Sequence, residues 1–191
     1  MLFRSHRLKS NALIMHQGEK INYEKNNFLL VTFHPVSTQI DKGLYELKIL
    51  LEDLQKFGMR IISTAANADP GGFEINSVVK KCLKNQILHG NFYTNLGFEN
   101  YINLMQNSFA VVGNSSSVLI EAPIVGIAIL DFGSRQFGRA APNSVFRIQP
   151  KKGAVLSVLK SIKSNHRQPT LFYGRGNTSD EITKIFERLA K

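Results

Sequence analysis

The chain alternates short apolar runs with amphipathic segments, and this alternation restricts its fold more than any other feature. Phe28, Leu29, Leu30 and Val31 begin one run of strand length, and Leu44, Leu47, Leu51 and Leu54 follow it. These four leucines recur at spacings of three and four, which places them on one face of a helix. Strands that alternate with helices are typical of βα units around a parallel sheet. We therefore predict the α/β class, with a Rossmann-like parallel sheet flanked by helices.

The same periodicities predict six strands and six helices along the chain. The predicted strands are residues 28–33, 59–63, 86–90, 109–112, 127–132 and 145–148. The predicted helices are residues 41–57, 73–84, 99–107, 116–125, 151–163 and 178–191.

Size and charge limit the classes of function. A chain of 191 residues with 43% hydrophobic content can bury one proper core. Its net charge of +10 comes from the two ends, because residues 28–150 carry ten basic and nine acidic groups. A continuous basic stripe with interleaved aromatics, as nucleic-acid binding requires, is therefore not predicted. No apolar run approaches the ~20 residues of a membrane-spanning helix, so we expect neither a nucleic acid nor a membrane as partner.

The remaining composition points to a cytoplasmic protein without a metal. Cys82 is the single cysteine, so it has no intrachain disulfide partner and no metal cluster to join. We interpret residues 1–26 as a linker or N-terminal extension. Residues 1–18 carry Arg4, Arg7 and Lys9 and no acidic residue, so an organelle transit segment is the alternative.

Polar residues follow four of the predicted strands, where an open α/β sheet binds its ligands. His34 follows the first strand, Asn67 lies after the second, and Arg135 and Arg139 follow the fifth. Each has a simpler explanation when taken alone: a turn histidine, a turn asparagine and a solvated arginine pair. Because parallel strands bring these loops to one edge of the sheet, we expect a shared site.

The run GNSSS at residues 113–117 follows the fourth predicted strand and precedes a predicted helix. Unpaired backbone N–H groups and the positive end of the helix dipole favour a phosphate at such a turn. Glu121 falls about one turn inside that helix, where a carboxylate can accept from two ribose hydroxyls. The alternative is a capping serine with an acid in the first turn.

These motifs, in this order and spacing, resemble the C-terminal half of the hydrolysing UDP-N-acetylglucosamine 2-epimerases. The motifs are LVTFHPV at 30–36, NADPGG at 67–72, GNSSS at 113–117 with EAP at 121–123, GSRQFGR at 133–139 and YGRGN at 173–177. Non-hydrolysing relatives differ from this chain, because they carry an acidic Ser-Asp-Ser type loop and a Thr-Glu-Arg segment in place of the corresponding motifs. The chain departs from the family pattern at Val118, where a glycine is usual, and at Ala66, where a proline is frequent.

The resemblance implies a two-domain fold of the GT-B type with substrate in the cleft between the halves. Residues 27–191 would then form the C-terminal UDP-binding Rossmann-like domain, and an N-terminal half carrying the catalytic carboxylates would be its partner. The implied reaction eliminates UDP from UDP-GlcNAc or a diacetamido analogue and adds water to give an N-acetylmannosamine-type sugar. It needs no cofactor, and the full enzyme could form oligomers. The implied pathway is sialic-acid-type precursor synthesis.

The resemblance also implies roles for individual side chains. Ser115 and Ser116 would bind the diphosphate, Glu121 the ribose, and Arg135 a phosphate. His34 and Asn67 would lie near the diphosphate and the sugar, with His34 as the candidate catalytic residue, and Arg139 would complete the substrate-binding set.

Two other functions remain open from the sequence. One is a GT-B glycosyltransferase fragment, which would transfer the sugar to an acceptor. The other is a non-catalytic nucleotide-sugar binding domain. In the epimerase interpretation, too, the 191-residue chain is expected to be inactive without its N-terminal half.

Overall fold

A computed structural model describes residues 15–16, 19–36, 40–162, 169–174 and 176–190. Ser37 and Thr38 of the first predicted loop lie outside these residues, as does Arg175 of the closing motif. Most of the predicted N-terminal extension also lies outside them.

Six parallel strands form the central sheet. After a two-stranded antiparallel hairpin of β1 (Met15–His16) and β2 (Glu19–Lys20), the sheet strands are β3 (Leu29–Thr32), β4 (Ile61–Thr64), β5 (Gly90–Tyr93), β6 (Ala110–Gly113), β7 (Ala128–Phe132) and β8 (Val145–Ile148). The order across the sheet is β5-β4-β3-β6-β7-β8, with every neighbouring pair parallel. This is the strand order of the doubly wound Rossmann fold, which confirms the predicted class.

The helices connect these strands and continue after the last one. They are α1 (Ile40–Phe57), α2 (Gly72–Lys84), α3 (Phe98–Asn107), α4 (Ser117–Val125), α5 (Ala154–Ser161) and α6 (Thr178–Leu189). Among the described residues, none of these helices combines the length and the apolar character that crossing a membrane would require.

Each face of the sheet buries its own apolar cluster. Leu29 and Val31 point to one face, where α1, α2 and α5 pack, and Leu30 points to the other, where α3 and α4 pack. Strand side chains alternate between the two faces, so a central parallel strand is apolar at nearly every position. This explains why β3 is buried at all four of its residues.

Two predicted elements are placed differently by the structure. The predicted strand 86–90 is wrong, because residues 85–88 form the turn that closes α2, with Gln86 at φ 56° and its N–H bonded to Leu83 O. The strand follows at Gly90–Tyr93.

The helix predicted from residue 151 begins only at Ala154. Gly153, at φ 82°, precedes it, and the buried carboxylate of Asp53 accepts hydrogen bonds from the N–H groups of Gly153, Val155 and Leu156 at 2.8, 3.0 and 3.2 Å. A side chain on α1 therefore sets the start of α5 through an N-terminal cap.

The strand order creates one crevice at the carboxyl edge of the sheet. From β3, the strands β4 and β5 are added toward one edge of the sheet, and from β6, the strands β7 and β8 are added toward the opposite edge. The loops after β3 and β6 therefore diverge at the point where the order reverses, which is where doubly wound folds bind ligands.

Gly113, the last residue of β6, permits the close approach of β3 and β6 at this crevice. It has φ 149°, and an added Cβ would lie 1.9 Å from the Thr32 carbonyl oxygen. We expect Gly113→Ala to lower the free energy of unfolding by ~3 kcal/mol, the upper end of the usual cost of overpacking, because the added Cβ meets rigid backbone. Urea denaturation of the purified chain measures this change.

Gly58→Ala is the matched control for this variant. Gly58 also has a positive φ, of 76°, but nothing lies within 4 Å of an added Cβ. Only the backbone strain remains there, at ~1–2 kcal/mol. Equal destabilisation by the two substitutions would contradict a steric role for Gly113.

Candidate functional site

Asn114 joins the loops that follow β3 and β6. Its Oδ1 accepts a hydrogen bond from the backbone N–H of His34 at 2.7 Å, and its Nδ2 donates to the His34 carbonyl oxygen at 2.9 Å. The side chain is fully buried. This reciprocal pair holds His34 at the crevice although 80 residues separate the two partners.

The loop after β4 positions the His34 ring. The backbone N–H of Asn67 donates to Nδ1 of His34 at 3.0 Å, and the Asn67 amide donates to the Asp69 carboxylate. Gly72 allows the loop to close, because a Cβ there would lie 2.1 Å from the Asn67 carbonyl oxygen. The structure thus brings together His34 and Asn67, which the sequence predicted as separate loop residues.

The contacts of His34 fix its protonation state. Burial, and then the nearby Arg135 guanidinium, lower the pKa of His34 to about 4, whereas the Asp69 carboxylate acts in the opposite direction. Because Nδ1 accepts a hydrogen bond, the single proton of the neutral ring lies on Nε2. At neutral pH His34 is therefore an uncharged N–H donor at the crevice.

The loop after β7 reaches over the crevice to the same asparagine. Arg135 Nη1 and Gln136 Nε2 both donate to the backbone carbonyl oxygen of Asn114, at 3.3 and 2.7 Å. Below this loop, the buried Glu46 of α1 accepts a hydrogen bond from Ser134 Oγ at 3.1 Å. Three loops consequently meet at Asn114.

The arginines of this loop differ in their surroundings. Arg135 is half-buried, and burial lowers the pKa of its guanidinium, with Asp69 opposing and Arg139 adding to this effect. Arg139 is exposed, and its carbonyl oxygen accepts a hydrogen bond from Arg147. Arg135 thus lies within the site, and Arg139 lies at its outer side within electrostatic range.

The serines lie at the N-terminus of α4, as the sequence predicts. Ser115 is buried, whereas Ser116 and Ser117 are half-buried. The N-cap residue Ser116 makes no side-chain capping bond, and the first turn of α4 contains no acidic residue. Ser115 Oγ, in contrast, accepts a long hydrogen bond of 3.4 Å from the backbone N–H of Ser117. The capping explanation therefore applies in part to Ser115, without the first-turn acid, and the Ser116 hydroxyl is not used to cap the helix.

Glu121 lies in the middle of α4, one turn beyond the serines. Its carboxylate is half-buried, and Oε2 has no hydrogen-bond partner among the described residues. Burial raises the pKa of Glu121, and a hydrogen bond from its own backbone opposes this shift. The carboxylate can thus accept hydrogen bonds from a ligand.

Several polar residues at this edge were not predicted from the sequence. Asn114, Gln136 and Asp69 lie within the motifs named above, but the sequence assigns none of them a role. Asp131, also assigned no chemistry, is buried on β7, and burial raises its pKa to about 6 against the opposing effect of Arg147. A polar residue inside an apolar strand was the available signal for Asp131.

The arrangement combines donors suited to an anion. The helix N-terminus, the Arg135 guanidinium and the neutral His34 ring lie at one edge, with Glu121 as an acceptor farther along α4. Such donors bind phosphate oxygens, whereas a carboxylate pairs with hydroxyl groups.

The histidine provides a direct test of this electrostatic description. We expect the His34 ring to titrate with a midpoint near pH 4 and to carry its proton on Nε2 at pH 7. Long-range ¹H–¹⁵N NMR of the imidazole nitrogens measures both properties. A midpoint near the ordinary value of ~6.5 would contradict the burial and the contact with Asn67.

The depressed pKa also predicts a pH dependence of stability. The unfolded chain takes up a proton on His34 at higher pH than the folded chain does. The free energy of unfolding should therefore fall as pH decreases from ~6.5 to ~4. His34→Asn, which keeps an acceptor near Nδ1, should show a smaller decrease in denaturant unfolding over this range.

Two solved structures with the same fold are UDP-GlcNAc 2-epimerases. The UDP-GlcNAc 2-epimerase of Neisseria meningitidis, solved bound to UDP-GlcNAc, superposes with a TM-score of 0.65 at 14% identity, covering 85% of this chain and 45% of that one. The Methanocaldococcus jannaschii enzyme, in complex with UDP-GlcNAc and UDP, gives 0.61 at 16% identity over 86% and 46%. At these identities the likeness concerns the fold.

Sequence comparison identifies the family. The GDP/UDP-N,N'-diacetylbacillosamine 2-epimerase (hydrolyzing) of Campylobacter jejuni is 32% identical over 117 residues, which are 61% of this chain and 30% of that protein. The chain thus spans less than half the length of these relatives, and the match covers the C-terminal half of the family. The family profile described as UDP-N-acetylglucosamine 2-epimerase matches residues 3–187. The chain therefore belongs to the UDP-N-acetylglucosamine 2-epimerase family.

Proposed function

We propose that residues 27–191 form the UDP-binding domain of a hydrolysing UDP-sugar 2-epimerase, with residues 1–26 as a linker or extension. The observation that carries this proposal is the N-terminus of α4, where the Ser116 side chain makes no capping bond and which lies at the strand-order reversal beside Arg135 and His34. The family membership and the names of the relatives support the same ligand class.

The diphosphate of the nucleotide is the best match for the donors at this edge. A helix N-terminus offers backbone N–H groups and a positive dipole end, and Ser115 and Ser116 add short hydroxyls beside it. Arg135 uses one guanidinium nitrogen on Asn114, which leaves other N–H groups for phosphate. Arg139 adds positive charge from the outer side of the loop.

Glu121 is our candidate for the ribose. Its carboxylate lies one turn along α4 from the serines, and Oε2 is buried without a hydrogen bond among the described residues. A ribose carries two vicinal hydroxyls, and both can donate to one carboxylate. We propose this pairing as the reason for an acid inside an otherwise apolar helix.

His34 and Asn67 would act where the diphosphate meets the sugar. A neutral imidazole with its proton on Nε2 can donate a hydrogen bond and remain uncharged. This suits stabilisation of negative charge on a departing diphosphate oxygen. In the proposed reaction, UDP leaves as the C2 proton of the sugar is removed, and water then adds to the unsaturated sugar.

The proton transfer itself is assigned to the N-terminal half. Of the carboxylates described at this edge, Asp69 accepts from the Asn67 amide, Asp131 is buried on β7, and Glu121 would bind the ribose. The substrate is UDP-GlcNAc or a diacetamido analogue, and the product an N-acetylmannosamine-type sugar for sialic-acid-type synthesis. We propose a cytoplasmic location, because the single cysteine, Cys82, is a free thiol of the kind that a reducing compartment preserves. We also propose that the reaction uses no cofactor.

UDP affinity tests the site. The chain should bind UDP, weakly, and free GlcNAc hardly at all, because the proposed contacts are to diphosphate and ribose. Arg135→Ala should lower UDP affinity by ~2–5 kcal/mol, the usual cost of breaking a partly desolvated charge pair. Isothermal calorimetry measures both ligands on both proteins.

Arg188→Ala is the matched control, since Arg188 is an exposed arginine in the last turn of α6. Its UDP affinity should equal that of the unchanged chain, and circular dichroism should show both variants folded. Equal affinities for the two variants, or equal binding of UDP and GlcNAc, would refute the proposed site.

Activity tests the division between the two halves. We expect the 191-residue chain alone to release no UDP from UDP-GlcNAc, because C2 proton abstraction needs a base within ~2.6–3.2 Å or one water away. A coupled assay for UDP, with product analysis, measures this. The Campylobacter jejuni relative serves as an active control with its own substrate. Turnover by the chain alone would overturn the proposed division.

A further inference from the structure

A series of hydroxyl groups leads across the top of the sheet to α4. Thr64 Oγ1 and Thr32 Oγ1, in register on β4 and β3, lie 2.6 Å apart. Thr32 Oγ1 lies 3.3 Å from the Tyr101 hydroxyl on α3, which lies 2.8 Å from Ser117 Oγ. Ser117 is the first residue of α4. We call these four residues the hydroxyl chain.

The hydroxyl chain has a preferred direction of donation. Each hydroxyl carries one proton and can accept as well. A phenol is more acidic than an aliphatic alcohol, so Tyr101 is the strongest donor of the four, and its shorter contact is the one to Ser117. Burial raises the pKa of Tyr101, so the phenol keeps its proton. If Tyr101 donates to Ser117, its oxygen accepts from Thr32, and Thr32 in turn accepts from Thr64.

This direction leaves the Ser117 proton for another acceptor. Ser117 is half-buried, and its hydroxyl makes no other hydrogen bond among the described residues, while its backbone N–H donates to Ser115 Oγ at 3.4 Å. Hydrogen bonds in series polarise one another, so the last hydroxyl becomes a stronger donor than an isolated serine. Its position at the N-terminus of α4 favours an anion as that acceptor.

We propose that Tyr101 is a positioning residue that orients the Ser117 hydroxyl to donate to a phosphate oxygen of the nucleotide. The inference rests on the proposed function and adds Ser117 as a ligand beside Ser115 and Ser116. Glu121, close enough to affect the Tyr101 hydroxyl electrostatically, lies farther along α4 and keeps its role toward the ribose.

A double-mutant cycle on the 191-residue chain tests the inference with UDP as probe. Ser117→Ala should weaken UDP binding about tenfold, the loss expected for a hydrogen bond to a charged group. Tyr101→Phe, which removes one oxygen atom, should weaken it about fivefold. Because Tyr101 acts through Ser117, the double variant should bind UDP as Ser117→Ala alone does.

Two controls separate positioning from a general structural effect. Tyr45→Phe removes the hydroxyl of a tyrosine that is 59% exposed on α1 and should leave the UDP affinity unchanged. Uridine, which lacks phosphates, should bind Tyr101→Phe and the unchanged chain equally in ligand-observed NMR. A merely structural role would instead weaken uridine and UDP alike.

The outcomes distinguish the two levels of the proposal. If the unchanged chain binds UDP but Tyr101→Phe binds it equally well, the inference is wrong and the proposed function stands. The inference is also wrong if the effect of Tyr101→Phe persists undiminished in the Ser117→Ala background. If the unchanged chain does not bind millimolar UDP, the proposed function fails and the inference fails with it.

Discussion

The hydrogen bonds of one buried amide, Asn114, hold the candidate site together. Its side chain exchanges two hydrogen bonds with the backbone of His34, and its backbone carbonyl oxygen accepts hydrogen bonds from the side chains of Arg135 and Gln136. A buried polar group left without its partner costs ~1–3 kcal/mol, so each of these contacts restrains a loop. The loops after β3, β6 and β7 are therefore fixed relative to one another before any ligand arrives.

The electrostatics of the site follow from this arrangement. Burial and the nearby Arg135 keep His34 neutral, and Asp69 offsets only part of their effect. Burial lowers the pKa of Arg135 itself, with Arg139 adding to that effect. An edge with a helix N-terminus, an unused Ser116 hydroxyl and two arginines close together has an excess of donors and positive charge. An anionic ligand would relieve the repulsion between the arginines, which is consistent with a nucleotide diphosphate.

Much of the fold follows from local pattern in the sequence. The leucines of α1 and the apolar run of β3 predicted their elements to within a residue or two, because burial on both faces makes a central strand uniformly apolar. The strand 86–90 was misplaced because Gln86, at φ 56°, belongs to the turn after α2. The start of α5 depends on Asp53, a hundred residues earlier, and no local pattern contains that information.

The candidate site divides in the same way. Loop position and residue type alone selected His34, Asn67, the serines and Arg135, because parallel strands bring their carboxyl ends to one edge. Their mutual contacts could not be predicted, since the bond between His34 and Asn114 and the hydroxyl chain through Tyr101 depend on which strands are neighbours. The sequence gives the chemical type of each residue and its position in a loop. Hydrogen bonds between distant segments form only once strand order and register place their atoms about 3 Å apart.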